Sequence, residues 1–158
     1  MIRALLVLLA LLPLPAAAAG WGHYVNARYG YAIDVPPGFS PQGESANGDG
    51  QVFRAPGATL AVYGAAVAAA DFEMEVVARE RLAEQAGWAI TYAVSTPQKA
   101  SFSGRRGGRI LYVRMIALCG GAQLAAFELQ YGAAELHTFN PVVDRLLAAL
   151  RPTQGACP

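Results

Sequence analysis

The chain has 158 residues, with 12 Lys and Arg against 11 Asp and Glu and a formal net charge of +1. A balance this close to neutral gives no electrostatic footprint for nucleic acid or for an anionic membrane surface. The composition points to neither disorder nor low complexity, and the length fits one domain able to bury a core.

Residues 1–19 read as a secretory signal peptide. Arg3 supplies the positive start, Ala4 to Leu14 the short apolar run, and Ala16 to Ala19 the small-residue exit, so cleavage is expected before Gly20. The apolar run is short of the ~18–20 residues a membrane span needs, and no later stretch is long and apolar enough. The expected mature chain is one α+β domain, residues 20–158, without a membrane span and secreted, with the periplasm as first choice. A single Lys beside eleven Arg suggests a GC-rich bacterial genome.

Along the chain, Trp21 to Asn26 predicts a strand, and Ala27 to Gly30 a turn. Tyr31, Ile33 and Val35 alternate with Ala32 and Asp34, a half-buried strand that Pro36-Pro37-Gly38 ends. Residues 40–50, rich in Gly, Ser, Asn and Asp, predict a loop. Gln51 to Arg54 and Thr59 to Gly64 predict short strands. Asp71 to Ala86 predicts a helix, with Asp71 as N-cap, Glu73 and Glu75 in the first turn, and Phe72, Val76, Leu82, Ala83 and Ala86 on one face. Gly87 supplies the stop.

Trp88, Ile90, Tyr92 and Val94 then alternate with small residues, the clearest period-two strand in the chain. Lys99 to Ser103 predicts a strand and Gly104 to Gly108 a turn. Arg109 to Leu118 is apolar on both faces, as in a central strand. Cys119-Gly120-Gly121 reads as a hairpin turn, and Gln123 to Tyr131 returns. Asn140 is the expected cap of a last helix, with Pro141 in its first position and Val143, Leu146, Leu147 and Leu150 buried. Two or more strands, a helix, four strands and a helix predict an α+β sandwich: a largely antiparallel β-sheet covered by two amphipathic helices.

The run R-Y-G-Y-A-I-D-V-P-P-G-F, Arg28 to Phe39, resembles the start of PsbP-like domains, matching their first hairpin at Tyr31, Ile33, Pro36, Gly38 and Phe39. The chain is also similar to secreted alphaproteobacterial proteins that share this hairpin, an N-G-D-G loop (here Asn47 to Gly50) and an S-G-x-x-G-x-R-I-L-Y segment (here Ser103 to Tyr112). The resemblance implies an antiparallel sheet sandwiched by helices. It implies no particular reaction, because PsbP-like domains include photosystem accessory proteins and other partner-binding modules with no common activity.

Cys119 and Cys157 are the only cysteines. In an oxidising compartment a pair usually bonds, and the last helix must return the tail towards the Cys119 turn. The bond would close a loop of about 39 residues, for which the chain-entropy model gives roughly 4 kcal/mol; free thiols and an intermolecular bridge are the alternatives. Asn47 and Asp49 fit part of a calcium loop, but Pro56 falls where its bidentate Glu belongs, so a turn is the better reading. Asn47, Asp49 and the cluster Arg105, Arg106 and Arg109 form a candidate binding loop, the arginines offering forked donors to an anion. Arg79 falls in the apolar stripe of its helix, so it either snorkels or pairs with an acid.

His23 and His137 lack metal-ligand spacing, and no Walker loop, G-x-G-x-x-G, G-x-S-x-G or H-E-x-x-H occurs. No cofactor or metal is implied. Three functions stand. The preferred one is a non-enzymatic binding or accessory module for an envelope protein or small ligand. The second is a small hydrolase with a dispersed site, which requires a His in a cleft beside a Ser or a carboxylate. The third is a cell-envelope anion or ligand binder at the Arg105 to Arg109 turn.

Overall fold

The computed structural model describes residues 20–154 and Cys157. The expected signal peptide lies outside the described residues. Among them, no helix is long and apolar enough to cross a membrane.

The elements run β1 (Gly22–Asn26), β2 (Tyr31–Val35), β3 (Ser40–Glu44), β4 (Gly50–Ala55), β5 (Ala58–Ala66), α1 (Phe72–Gln85), β6 (Ala89–Thr96), β7 (Lys99–Arg106), β8 (Arg109–Leu118), β9 (Gln123–Gly132), α2 (Leu136–Ala149) and β10 (Arg151–Pro152). They make two sheets, one of three strands ordered β1-β2-β10 and one of seven ordered β3-β4-β5-β9-β8-β7-β6. Every pairing among the described residues is antiparallel. The order follows from the connections. Short turns make β3–β5 one meander and β6–β9 another. The α1 crossover carries the chain from β5 to the far edge, so the second meander walks back and closes β9 onto β5.

The two faces of the large sheet are covered over different halves. On one face the small sheet and α2 pack over β5, β9 and part of β8. That core includes Tyr31, Ile33, Leu60, Phe127, Leu129, Tyr131 and Leu146, with the Tyr131 and Phe139 rings stacked at 4.4 Å. On the other face α1 packs over β6–β8, where Phe72, Val76 and Trp88 meet Phe102, Leu111, Val113 and Met115. Each cover is a single helix or a helix with a narrow sheet. Neither spans seven strands, so opposite quadrants of the large sheet are left bare.

Local chemistry explains the boundaries of α1. The Asp71 side chain accepts from the Met74 amide at 2.8 Å. At the other end Gly87 takes φ +89°, and the Trp88 and Gly87 amides bond to the Ala83 and Glu84 carbonyls, the paired bonds of a Schellman stop.

Several expectations are corrected. Half of the loop expected at residues 40–50 is an edge strand, β3, broken by an irregularity between Pro41 and Glu44. Its side chains are all exposed, so no hydrophobic period marks it. Strand β7 runs on through Arg105 and Arg106, which leaves the turn to Gly107 and Gly108. The α1 stripe is narrower than expected: Leu82 is 60% exposed while Glu75 is buried. Helix α2 begins at Leu136 rather than at Asn140, and Pro141 lies inside it. The extra turn seats Phe139 on Tyr131, and the amide that proline lacks is missing only near the helix start, where carbonyls such as that of exposed His137 can meet water.

Candidate functional site

The residues singled out at the first loop form a clasp. Small-sheet side chains reach across to the β3–β4 turn. Tyr24 donates to Glu44 at 3.0 Å, Asn26 to the Gly48 carbonyl at 3.0 Å, Tyr31 to the Asp49 carbonyl at 3.0 Å, and Arg28 to the Asn47 carbonyl. Within the turn, the Asp49 carboxylate accepts from the Ser45 hydroxyl and from the Asn47 amide at 2.8 Å. Those bonds, Ser45 first, hold the Asp49 carboxyl below its usual range. The Asp49 oxygens are thus engaged inside the protein. Among the described residues no group of three or more His, Cys, Asp or Glu side chains is placed to hold a metal ion.

The three arginines do not converge. Arg106 stacks on Trp88 at 4.5 Å and donates to the Ala86 carbonyl at 2.7 Å, at the C-terminal end of α1, where a cation is favoured. Arg109 donates to the Gly57 carbonyl at 3.1 Å. Arg105 lies opposite Ile110, on the face that α2 only partly covers.

His23 sits 3.4 Å from Asp34, its cross-strand partner, on an exposed surface. Asp34 also accepts from Arg145 at 2.9 Å, and Arg145 lies over Trp21 at 4.2 Å. This group ties α2 to the small sheet. His137 is exposed on α2. Neither histidine lines the cavities described below. Cys119 and Cys157 form a disulfide with Cα atoms 5.3 Å apart. The bond fastens the tail that follows β10 to the turn after β8.

Arg79 finds its acid on its own helix. It bonds to Glu75 at 2.9 Å and to the Tyr63 hydroxyl at 3.3 Å, and Tyr63 donates to Glu128 at 2.8 Å. Burial first, and the Glu128 charge second, push the Tyr63 hydroxyl well above its usual range. This chain of groups closes the seam between α1 and the sheet.

One cluster was not anticipated from the sequence. Strand β6 carries a bulge: Ile90 lies opposite Gly104, but Tyr92 lies opposite Ser103, so two steps on β6 match one on β7. Trp88 and Ile90 therefore pack under α1, while Tyr92 and Val94 turn to the other face, 49% and 47% exposed. The single apolar face expected for Trp88, Ile90, Tyr92 and Val94 is thus split in two. Across β6, β7 and β8 the register sets out the rows Tyr92–Ser103–Tyr112 and Val94–Ser101–Arg114.

Arg114 donates to the Ser101 hydroxyl at 3.1 Å. Its Nε is buried and has no hydrogen-bond partner among the described residues. Burial lowers the pKa of its guanidinium, and burial raises that of the Tyr112 hydroxyl. Beside these rows, between α2 and β7, is a cavity of about 420 Å3 lined by Thr91, Ser103, Arg105, Tyr112, Asn140 and Asp144 among others. A second, of about 330 Å3, lies over β4 and β5 in the other bare quadrant, beside Arg54 and Tyr63.

The bulge could not be read from an alternating sequence. The charge signal could: residues 85–127 contain Lys99, Arg105, Arg106, Arg109 and Arg114 and no acidic residue. Near-neutral net charge hides this asymmetry.

No protein-family model and no curated protein sequence matches the chain. Solved structures do. The PsbP protein of the cyanobacterium Synechocystis superimposes with a TM-score of 0.67 at 14% identity, over 91% of this chain and 98% of that one. The Ran-binding protein Mog1p of Saccharomyces cerevisiae gives 0.62 at 12% identity, over 85% and 96%. A Mog1 variant, E65A, gives 0.64 at 12% identity, over 87% and 98%. At such identities the likeness is one of fold, and the fold of this chain is the PsbP-like α/β sandwich.

Proposed function

We propose that this protein is a secreted, periplasmic binding or accessory module with no reaction of its own, and that it docks a partner protein on the bare face of β6–β8. One observation carries the reading. Tyr92 and Val94 stand about half exposed beside the half-buried Arg114, in a quadrant that neither helix covers. Aromatic, aliphatic and arginine side chains in partly desolvated surroundings are the composition of interface centres. Arg105, from the expected binding loop, borders the same face.

The fold neighbours support the reading in kind, since one of them is named for binding the protein Ran. A disulfide in a sandwich of this size suits an oxidising compartment. The hydrolase alternative requires a His in a cleft, and His23, beside Asp34, and His137 both lie on exposed surface, which weighs against it.

A photo-crosslinker placed at position 94 in intact cells tests the proposal. It is expected to form an adduct with a second protein, whereas the same group at exposed Arg81 on α1 forms none. Equal yields from the two positions, or none from position 94, would overturn it. Mass spectrometry of the mature protein tests the address, with Gly20 as the expected first residue.

A further inference from the structure

We infer that the segment docking on this face is acidic: an extended stretch of a partner protein whose Asp or Glu side chains meet Lys99, Arg105 and Arg114. The inference rests on the reading above and adds the chemistry of the occupant. Pairing register puts all three cations on one face, because Lys99 lies opposite Ile116, Arg105 opposite Ile110 and Arg114 opposite Ser101, and Ile110 and Ile116 belong to the core on the α2 side. The strands β6, β7 and β8 contain no acidic residue at all. The acid that faces the groove from outside them is Asp144 of α2, which lines the cavity.

Arg114 itself is under-supplied. A hydroxyl, not a carboxylate, accepts from its Nη1, and among the described residues its Nε has no partner. A guanidinium held in partly desolvated surroundings gains most from a carboxylate, which can accept from two of its donors at once. The spacing fits an extended chain. Lys99 and Arg105 are six residues apart on β7, a span of about 20 Å at strand rise, and Arg114 lies between them one strand over. Ser103, on the same face and lining the cavity, offers a hydroxyl to the backbone of the occupant. Tyr92 and Val94 form an apolar wall for side chains that alternate with its acids.

The test uses the mature protein and two labelled peptides of about twelve residues, one alternating Glu with Val and the other Gln with Val, read by fluorescence anisotropy. The Glu peptide is expected to bind about tenfold or more tightly than the Gln peptide, with an affinity that falls as salt rises. Arg114→Gln and Lys99→Gln are each expected to weaken it several-fold. Lys99 is exposed, so its variant reports on binding even if the Arg114 variant folds poorly.

Equal binding of the two peptides, binding of neither, or affinity unmoved by Lys99→Gln would overturn the inference. So would preferential binding to phosphatidylglycerol vesicles, or self-association that buries the same face. The crosslink from position 94 keeps the two proposals separable. If the adduct forms but the peptides are not distinguished, the docking face stands and its acidic occupant does not.

Discussion

Ile90 and Tyr92 face opposite sides of the seven-stranded sheet, although two residues apart on a regular strand would face the same side. The extra residue is Thr91, whose hydroxyl donates to the Ser103 carbonyl at 3.4 Å. Edge strands invite pairing with other chains, and a bulge is one way natural sheets discourage it. Both edges of this sheet carry an irregularity, at Pro41–Glu44 in β3 and at Ile90–Tyr92 in β6. Deleting Thr91 leaves Ile90 and Tyr92 on their present faces, because adjacent residues alternate. It straightens the edge. The deletion variant is therefore expected to stay folded, within about 1 kcal/mol of the parent, and to self-associate at concentrations where the parent does not. Light scattering during size exclusion reads this, and a monomeric variant would show that the bulge has no such role.

Gly64 and Tyr29 make a close approach that fixes how the small sheet meets the large one. A Cβ on Gly64 would overlap the Tyr29 ring. Gly64 lies inside β5, which runs from Ala58 to Ala66, so glycine is here for space rather than for a turn. Gly64→Ala is expected to cost about 1–3 kcal/mol through overpacking. Adding Tyr29→Ala removes the obstacle, so the double variant is expected to be less destabilised than the sum of the two single variants by about 1 kcal/mol. Urea unfolding of the four proteins measures the coupling, and strict additivity would place the strain elsewhere.

What was legible in the sequence follows from which physical signals are local. Turn chemistry and periodicity are local, so Asp71, Gly87 and the span Arg109 to Leu118 were placed correctly, and the antiparallel sandwich with them. Sequence also singled out Cys119 and Cys157 as a pair, because compartment and topology both bear on it. Signals that need a partner were missed. Strand β3 pairs through its backbone while its side chains face water. Helix α2 gains its first turn from the Phe139–Tyr131 stack, which no cap residue announces. The bulge at Thr91 has no residue signature, and it decided the most consequential question, which face Tyr92 and Val94 take. Arg114 reads as one charge in an apolar strand until the register puts Ser101 and Val94 beside it.

The Cys119–Cys157 bond fastens the tail to the turn after β8. Beyond α2, the described chain is held by two residues pairing with β2 and by the Thr153 amide bonding to the Gly30 carbonyl at 2.8 Å. The bond closes a loop with a sequence separation of 38, so its loss frees the denatured chain more than it disturbs native contacts. Replacing both cysteines by serine is expected to lower stability by up to roughly 4 kcal/mol, the chain-entropy figure for such a loop, while leaving the crosslink from position 94 in place. A loss of that crosslink with the fold intact would mean that the tail contributes to docking.

Glu75 supplies a pH dependence whose sign can be stated. It is 6% exposed. Its Oε2 accepts from the Ala68 and Ala69 amides at 3.1 and 3.2 Å, and its Oε1 from Arg79 at 2.9 Å. Burial alone raises its pKa, but the Arg79 bond and the two amides outweigh burial, so the carboxyl stays ionised below its ordinary value of 4.5. A carboxyl with a lowered folded pKa binds fewer protons in the native state. Its stabilisation is complete above the ordinary value and is lost as pH falls through the folded one. Glu75→Gln keeps an acceptor but removes the charge, and is expected to cost about 1–2 kcal/mol at pH 7. That gap should be flat from about pH 6 to 8 and close below about pH 4. Glu75→Ala strands two amides and a guanidinium and is expected to cost about 2–3 kcal/mol. Chemical denaturation of the three proteins between pH 3 and 8 checks this, at about one-unit steps. A gap that widens on acidification would mean that Glu75 is protonated in the native state and that burial, not Arg79, governs it.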